Sequence, residues 1–194
     1  MLKIFNRNQI KNLSQFIFAT FLAALSFTSF ADQPPMDTGP ELGSQIPELS
    51  VLDQFGDKQQ LSNIMGEKGT IVVLFRSADW CPFCKRHLLE LNAEADKFKQ
   101  LGYGVTAISY DTPKILRTFS QNKKLKYSLL SDQKVATFKA LNVVNKENEP
   151  GDRHYGIPYP GVIVVNPEGK IIHKYFFEGY KKRVKFKTLL TDLK

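Results

Sequence analysis

Residues 71–84 read Ile71-Val72-Val73-Leu74-Phe75-Arg76-Ser77-Ala78-Asp79-Trp80-Cys81-Pro82-Phe83-Cys84 and hold both cysteines of the chain. The apolar run at residues 71–75 has the length of a β-strand and no polar interruption, which is typical of a strand covered on both faces. After Cys84, apolar residues recur with helical spacing at Leu88, Leu91, Ala95 and Phe98. This stretch predicts a buried strand followed by an amphipathic helix that begins at the cysteines.

The two cysteines are expected to differ in exposure. Pro82 fits the first position of the helix, where its missing N–H would have no partner, so Cys81 lies at the helix N-terminus and Cys84 faces the core. Unpaired N–H groups and the positive end of the helix dipole favour a thiolate at that N-terminus, and Lys85 and Arg86 reinforce this. We therefore predict a redox pair with Cys81 as the exposed nucleophile and Cys84 as the resolving thiol.

A structural disulfide and a metal site are the competing interpretations of the cysteine pair. A disulfide that closes so short a loop stabilises a protein by only about 2 kcal/mol, against about 4.7 kcal/mol for a hundred-residue loop. A metal site would need further ligands from His87, His154 and His173, whose spacing matches no zinc motif. We therefore expect redox chemistry, with no metal and no other cofactor.

The first 31 residues have the pattern of a secretory signal peptide. Lys3, Arg7 and Lys11 give a basic start, residues 16–27 are apolar, and Ser29-Phe30-Ala31 ends the segment with small residues. A membrane anchor is the alternative, but a spanning helix needs about 20 predominantly apolar residues. We expect cleavage after Ala31, export to the periplasm of a bacterial host, and no membrane span in the mature protein.

Composition and charge are those of one moderately basic globular domain. The chain has 194 residues, 42% of them hydrophobic, and a formal net charge of +8. Basic clusters at residues 123–126 and 181–185 could attract an acidic partner or anionic lipid, although such runs are more often solvated faces. No nucleic-acid motif is present, so we expect no nucleic-acid partner and a monomeric protein.

The pattern along the chain predicts a leader at residues 32–44 and a single domain at residues 45–194. The first predicted elements are a hairpin of residues 48–52 and 57–61 that turns at Gly56, and a helical turn capped by Ser62. After the cysteine helix we predict a strand at 103–109, a helix from Thr112-Pro113 to about residue 122, a strand at 127–130 and a helix at 135–141. A long loop at 142–159 then leads to a hairpin of residues 162–165 and 171–177 and to a basic amphipathic helix at 180–193. This order predicts an α/β fold, a mixed sheet flanked by helices with an N-terminal β-hairpin.

Three motifs follow one another along the chain: residues 47–56 with Leu52-Asp53 and Gly56, residues 73–84 with the cysteines, and residues 157–169 with Pro158-Tyr159-Pro160-Gly161. Together they resemble the thioredoxin-like superfamily and, within it, the redoxin branch that contains the alkyl hydroperoxide reductase and thiol-specific antioxidant (peroxiredoxin-like) family. The resemblance covers roughly residues 43–180. It implies a thioredoxin-like fold and a thiol-based oxidoreductase.

The resemblance also implies which residues support the cysteines. In that superfamily a proline with a cis peptide bond precedes a strand of the last hairpin and packs beside the thiols; by position this is Pro160, and Tyr159 then borders the site. Pro158 is a nearby alternative. Trp80, Pro82 and Phe83 flank the cysteines directly.

The peroxiredoxin pattern is incomplete in this chain. That family has a proline seven residues, and a threonine or serine three residues, before its peroxide-reactive cysteine, and these positions hold Leu74 and Ala78 here. Ser77, Arg76 or Arg153 could partly replace the missing hydroxyl. Peroxide activation is therefore less clearly implied than thiol exchange.

The favoured hypothesis is an exported thiol-disulfide oxidoreductase that cycles Cys81 and Cys84 with a protein thiol or disulfide partner. The second is a thiol peroxidase that uses a peroxide and a thiol reductant, with Cys81 passing through a sulfenic acid. A redox-inert or copper-handling binding module on the same fold is the third. In a fourth, the basic C-terminal helix docks an acidic partner and the redox pair regulates docking.

Overall fold

A seven-stranded mixed β-sheet carries the fold in the computed structural model, which describes residues 36–194. The elements are β1 (Val51–Asp53), β2 (Lys58–Gln59), α1 (Leu61–Ile64), β3 (Gly69–Leu74), α2 (Pro82–Gln100), β4 (Tyr103–Ser109), α3 (Pro113–Lys123), β5 (Ser128–Ser131), α4 (Ala136–Ala140), β6 (Gly161–Val165), β7 (Ile171–Phe176) and α5 (Phe186–Asp192). The strand order is β2-β1-β5-β4-β3-β6-β7. Strands β3, β4 and β5 are parallel, and the other pairs are antiparallel. The predicted mixed sheet with an N-terminal hairpin is confirmed.

Strand β3 lies inside the sheet, as its continuous apolar run predicts. Ile71, Val73 and Phe75 join a core cluster that also contains the inner face of α2. Val72 and Leu74 join a second cluster, which contains Phe138 of α4. Successive side chains of a strand point to opposite faces, so an uninterrupted apolar run is what a strand covered on both faces requires.

The carboxyl ends of β3 and β4 meet at one edge of the sheet because the two strands are parallel and in register from Gly69↔Tyr103 to Leu74↔Ile108. Each leads into a helix with proline at its first turn: Cys81 caps α2, and the Thr112 side chain accepts a hydrogen bond from the backbone N–H of Ile115 at the start of α3. Such an edge is where α/β sheets place their functional groups.

The C-terminal helix is shorter than predicted. Residues 180–193 were expected to be helical throughout, whereas the helix spans only Phe186–Asp192. The preceding residues 177–185, named here the C-terminal strap, run without helical structure across the start of α2. The His87 imidazole pairs with the carbonyl of Val184 at 3.0 Å, a tertiary contact that competes with a helical hydrogen bond. Ser62 likewise lies inside α1, whose N-cap is Gln60.

The described part of the leader follows the outer strand β7. Met36 donates its backbone N–H to Phe176, and Gly43 donates to Ile171. This segment therefore covers the edge of β7, an edge that would otherwise expose unpaired backbone groups. The predicted signal peptide at residues 1–31 lies outside the described residues. Within residues 36–194, no helix is long and apolar enough to cross a membrane.

Candidate active site

Cys81 and Cys84 form a disulfide at the N-terminus of α2, with their Cα atoms 5.3 Å apart. Pro82 occupies the first helical turn, as predicted, and Cys81 is the N-cap. The Cys81 sulfur also accepts a hydrogen bond from the backbone N–H of Cys84 at 3.2 Å. The helix end thus supplies a donor that stabilises negative charge on the Cys81 sulfur once the bond is broken.

The expectation that Cys81 is exposed is wrong for this disulfide form. Its relative exposure is 0%, and that of Cys84 is 1%. Arg76 covers the sulfur, with its Nη2 atom 3.6 Å from Cys81 Sγ. The Arg76 guanidinium lies 4.3 Å from the ring centre of Tyr180 in the strap and 5.0 Å from that of Trp80. Any reaction at the disulfide therefore requires this cover to move.

Trp80 and Phe83 lie around the cysteines. The Trp80 indole donates a hydrogen bond to the Tyr110 hydroxyl at 3.0 Å, and its ring lies 4.2 Å from that of His154. The Phe83 ring meets Tyr180 edge to face at 5.5 Å. Aromatic rings thus flank the cysteines, and Tyr180 is the ring that the strap contributes.

A buried carboxylate that the sequence analysis did not identify fixes the loop before Cys81. Asp111 accepts hydrogen bonds from the Ser77 hydroxyl at 2.8 Å, the backbone N–H of Ala78 at 2.7 Å and the Ser109 hydroxyl at 3.0 Å. The Ser77 oxygen in turn accepts the N–H of Asp79 at 2.9 Å. Burial raises the pKa of Asp111, against the opposing effect of these hydrogen bonds. Asp111 follows the buried strand β4, and the parallel pairing of β3 with β4 was the signal that could have located it.

Positive charge concentrates around the start of α2, whose first turn holds no acidic residue. Burial lowers the pKa of Arg76. Burial also lowers the pKa of Arg183 to about 10, with smaller effects from the charges of Arg76 and Arg86. Such a field favours thiolates over thiols.

His87 is a buried neutral histidine beneath the strap. Burial lowers its pKa to about 4, and the bond to the Val184 carbonyl opposes that shift only in part. Its ring stacks on Phe186 at 4.4 Å. Because a carbonyl can only accept, the Nε2 atom carries the proton in this pairing. The sequence suggests His87 only as a possible metal ligand, whereas in the structure its ring holds the strap to α2.

The cis bond expected at Pro160 is absent, since residues 36–194 contain no cis peptide bond. The chain here is extended instead: Pro158 bridges to Val144, and the Tyr159 N–H donates to the Val143 carbonyl at 2.7 Å, which leads straight into β6. Tyr159 packs with the second core cluster, whereas the cysteines belong to the first. A place for Tyr159 beside the thiols stays a prediction.

Within the described residues, no three His, Cys, Asp or Glu side chains are grouped in a way that could hold a metal ion.

Comparison with known proteins agrees with the fold. The model of the AhpC/TSA family matches residues 42–174. Peroxiredoxin Bcp of Escherichia coli (strain K12) is 27% identical over 139 residues, which are 72% of this chain and 86% of that protein. The chloroplastic peroxiredoxin Q of Sedum lineare is 30% identical over 155 residues, 78% of each chain.

Solved structures share the architecture. The crystal structure of peroxidoxin BcpB from Mycobacterium tuberculosis superposes with a TM-score of 0.67 at 19% identity, covering 81% of this chain and 96% of that one. Peroxiredoxin Q of Xanthomonas campestris superposes with a TM-score of 0.63 at 22% identity, covering 81% and 97%. The thioredoxin-like fold is thereby confirmed, and the extent of the family match shows that the chain belongs to the AhpC/TSA family.

Proposed function

We propose that this protein is a thiol-dependent peroxidase in which Cys81 attacks the peroxide and Cys84 resolves the product. The observation that carries the proposal is the Cys81 sulfur itself, which caps α2, lies 3.6 Å from the Arg76 guanidinium and is bonded to Cys84. The relatives named as peroxiredoxins support a peroxidase over the disulfide oxidoreductase that the sequence alone favoured.

The proposed reaction has two steps. The Cys81 thiolate attacks one oxygen of a hydroperoxide, the O–O bond breaks, and the other oxygen leaves as an alcohol or water after taking a proton; Cys81 becomes a sulfenic acid. The Cys84 thiolate then attacks the Cys81 sulfur, the S–O bond breaks, and the oxygen leaves as water. The result is the observed Cys81–Cys84 disulfide, which two thiols of an external reductant return to the dithiol.

Arg76 is the residue best placed to assist the first step. Its guanidinium lies 3.6 Å from the Cys81 sulfur. A cation at this place stabilises both the thiolate and the negative charge that develops on the peroxide oxygens. Arg76, Ser77 and Arg153 were the candidates to replace the absent hydroxyl, and Arg153 lies near enough to Tyr110 for its charge to act on that residue. The Ser77 hydroxyl is committed to Asp111 at 2.8 Å, so Arg76 is the stronger candidate.

Thiol-disulfide exchange with a protein partner is the second candidate, and a specific observation favours it. Ala78 carries no hydroxyl at the position where peroxiredoxins have threonine or serine. The backbone N–H of Ala78 instead donates a hydrogen bond to the Asp111 carboxylate. A site that lacks this donor has to activate a peroxide with other groups, of which Arg76 lies nearest the sulfur. The same site needs no such donor to exchange disulfides.

Peroxide consumption by the reduced protein separates the two candidates. The peroxidase predicts one equivalent of hydroperoxide consumed per protein, and turnover once a thiol reductant is added. Cys81→Ser abolishes both, whereas Cys84→Ser retains a single turnover that leaves a sulfenic acid trappable by dimedone. Lys187→Gln, an exposed substitution on α5, serves as the control. Hydroperoxide loss no faster than in Cys81→Ser, together with rapid reduction of insulin disulfides, would replace the peroxidase by the exchange enzyme.

We also propose that the protein is exported. The support is the basic, apolar and small-residue order of residues 1–31. Expression of the full chain in a bacterium, followed by fractionation and N-terminal sequencing, tests this. A periplasmic product beginning at Asp32 is expected, and a cytoplasmic product that retains Met1 or Leu2 contradicts it.

A further inference from the structure

Two arginines beside the disulfide have side-chain N–H groups without partners. Arg76 Nε and Arg183 Nη2 are among only four buried side-chain nitrogen or oxygen atoms in residues 36–194 that lack a hydrogen-bond partner. A third, His154 Nδ1, belongs to the ring that lies 4.2 Å from the Trp80 ring. Buried polar groups without partners are costly and uncommon in native proteins. Arg76 contacts the Cys81 sulfur and its charge acts on Arg183, so a ligand bound beside Arg76 would satisfy the unpaired donors of both arginines.

Within residues 36–194, neither of these arginines forms a salt bridge, although the charge of Glu147 acts on Arg76 from beyond ion-pair distance. Neither Arg76 nor Arg183 lies within ion-pair distance of a carboxylate in the described part of the chain, whereas Arg86 pairs with Glu90 at 3.8 Å. Arg183 makes a hydrogen bond only to the carbonyl of Lys182, at 2.8 Å, and Arg76 is held by ring faces and the Cys81 sulfur. Arg76 lies close enough for its charge to act on Arg183. Two neighbouring guanidinium groups without a salt-bridge partner form a site for an anion.

We propose that Arg76 and Arg183 bind the anionic group of the small molecule that reacts at Cys81, so that the site prefers carboxylate-bearing thiols and hydroperoxides to neutral ones. Guanidinium groups match a carboxylate through paired N–H donors, and the orphaned donors of both side chains are available for this. The inference deepens the proposed function because it states the charge of the substrate. The part of the inference that concerns thiols does not depend on peroxidase activity, because it requires only that thiols reduce the disulfide.

Binding of an anion here also explains how a buried disulfide is reached. Arg76 is placed over the sulfur by the rings of Trp80 and Tyr180, not by an ion pair. A carboxylate that pairs with Arg183 competes for Arg76 and draws the guanidinium away from the sulfur. A thiolate carried on the same molecule then attacks Cys81, the S–S bond breaks, and Cys84 leaves as a thiolate that takes a proton from water. A second thiol displaces Cys81, so two thiols yield one small disulfide and the protein dithiol.

Reduction by three thiols of similar size and different charge tests the thiol half. The oxidised full-length protein is mixed with 3-mercaptopropionate, 2-mercaptoethanol or cysteamine, and the rates are compared at equal thiolate concentration. Fluorescence of Trp80, the single tryptophan, follows the reaction because it is adjacent to Cys81. We expect the anionic thiol to react about tenfold faster than the neutral one, a factor that corresponds to about 1.4 kcal/mol. Cysteamine should be the slowest.

Variants assign the preference to the two arginines. Arg183→Gln should bring the rates for the anionic and the neutral thiol within about twofold of each other. Arg183→Lys keeps the charge but not the paired N–H donors of a guanidinium, so it should keep part of the preference. Lys187→Gln removes the same charge from α5 and should leave the preference intact. Equal rates for the three thiols in the native protein, or a preference that survives Arg183→Gln, overturn the inference.

The peroxide half is tested with a fatty-acid hydroperoxide and its methyl ester, which differ only in charge. The reduced protein should consume the acid faster than the ester, and Arg183→Gln should remove the difference. If neither peroxide is consumed while the thiol preference holds, the peroxidase is wrong and the anion site stands as a site for thiols. If both peroxides are consumed equally and the thiols react equally, the anion site is wrong and the peroxidase stands.

Discussion

The two segments that cover Cys81 are held by different kinds of contact. The cysteine loop, residues 76–80, is tied to the buried Asp111 carboxylate by hydrogen bonds of 2.7 Å to the Ala78 N–H and 2.8 Å to the Ser77 hydroxyl. The C-terminal strap is held by ring faces, by the packing of Val184 into the first core cluster and by the hydrogen bond from His87 to Val184. The first kind of contact fixes position, whereas the second yields at lower cost. We infer that the loop positions the sulfur and that the strap is the side that opens.

Removal of the Asp111 carboxylate should have the largest effect on stability. Asp111→Ala leaves the Ser77 hydroxyl, the Ala78 N–H and the Ser109 hydroxyl without their acceptor, and each buried donor left unpaired costs about 1–3 kcal/mol. We therefore expect the free energy of unfolding of the oxidised protein to fall by about 3 kcal/mol or more, measured by urea denaturation.

Asp79→Asn provides the matched control, since it changes an exposed carboxylate in the same loop. It should shift the free energy of unfolding by less than about 0.5 kcal/mol. If Asp111→Ala is no more destabilising than this control, the loop is not held by the carboxylate and the contrast with the strap is lost.

The strap should loosen as the pH falls, because its hydrogen bond depends on a neutral histidine. His87 is protonated near pH 6.5 in the unfolded chain and only at about 4 in the folded protein. Between these values the unfolded state binds more protons, so the free energy of unfolding falls as the pH falls. A shift of this size corresponds to about 3 kcal/mol. Denaturation curves across this pH range measure it.

His87→Gln removes the titrating group but keeps a donor for the Val184 carbonyl, so the variant should lose this part of the pH dependence. The same substitution at His173, a half-buried histidine of β7, is the control and should retain it. A His87→Gln protein with the native pH dependence would contradict the assignment of His87 to the strap.

The sequence was sufficient wherever the signal is local. The apolar run at residues 71–75, Pro82 at the start of α2 and Thr112-Pro113 at the start of α3 each lie within one element, and each predicted its element to within a residue or two. The cysteine pair was also placed correctly at the helix start. The burial of Cys81 was not predicted, because Arg76 covers the sulfur while it packs on Tyr180, which is distant in sequence.

The errors share a physical origin in contacts between distant parts of the chain. The amphipathic pattern of residues 180–193 favours a helix. The contact of the Tyr180 ring with Arg76 and the hydrogen bond between His87 and the Val184 carbonyl stabilise a non-helical strap instead. Asp111 was missed because its role depends on which strand lies beside β3. The cis bond predicted for Pro160 came from a family resemblance, and in this chain the trans segment is paired with Val143.

Truncation of the strap's aromatic contact should have the smallest effect on stability and a clear effect on reactivity. Tyr180→Ala removes one ring from the Arg76 guanidinium, a contact worth about 0.5–1 kcal/mol at an exposed site. Since the ring also holds Arg76 over the sulfur, dithiothreitol should reduce the disulfide several-fold faster in the variant, as measured by Trp80 fluorescence. Tyr155→Ala is a matched control because Tyr155 is 39% exposed and Tyr180 40% exposed. Equal reduction rates in the two variants would mean that the disulfide opens from the loop side, and the roles assigned to the two segments would be reversed.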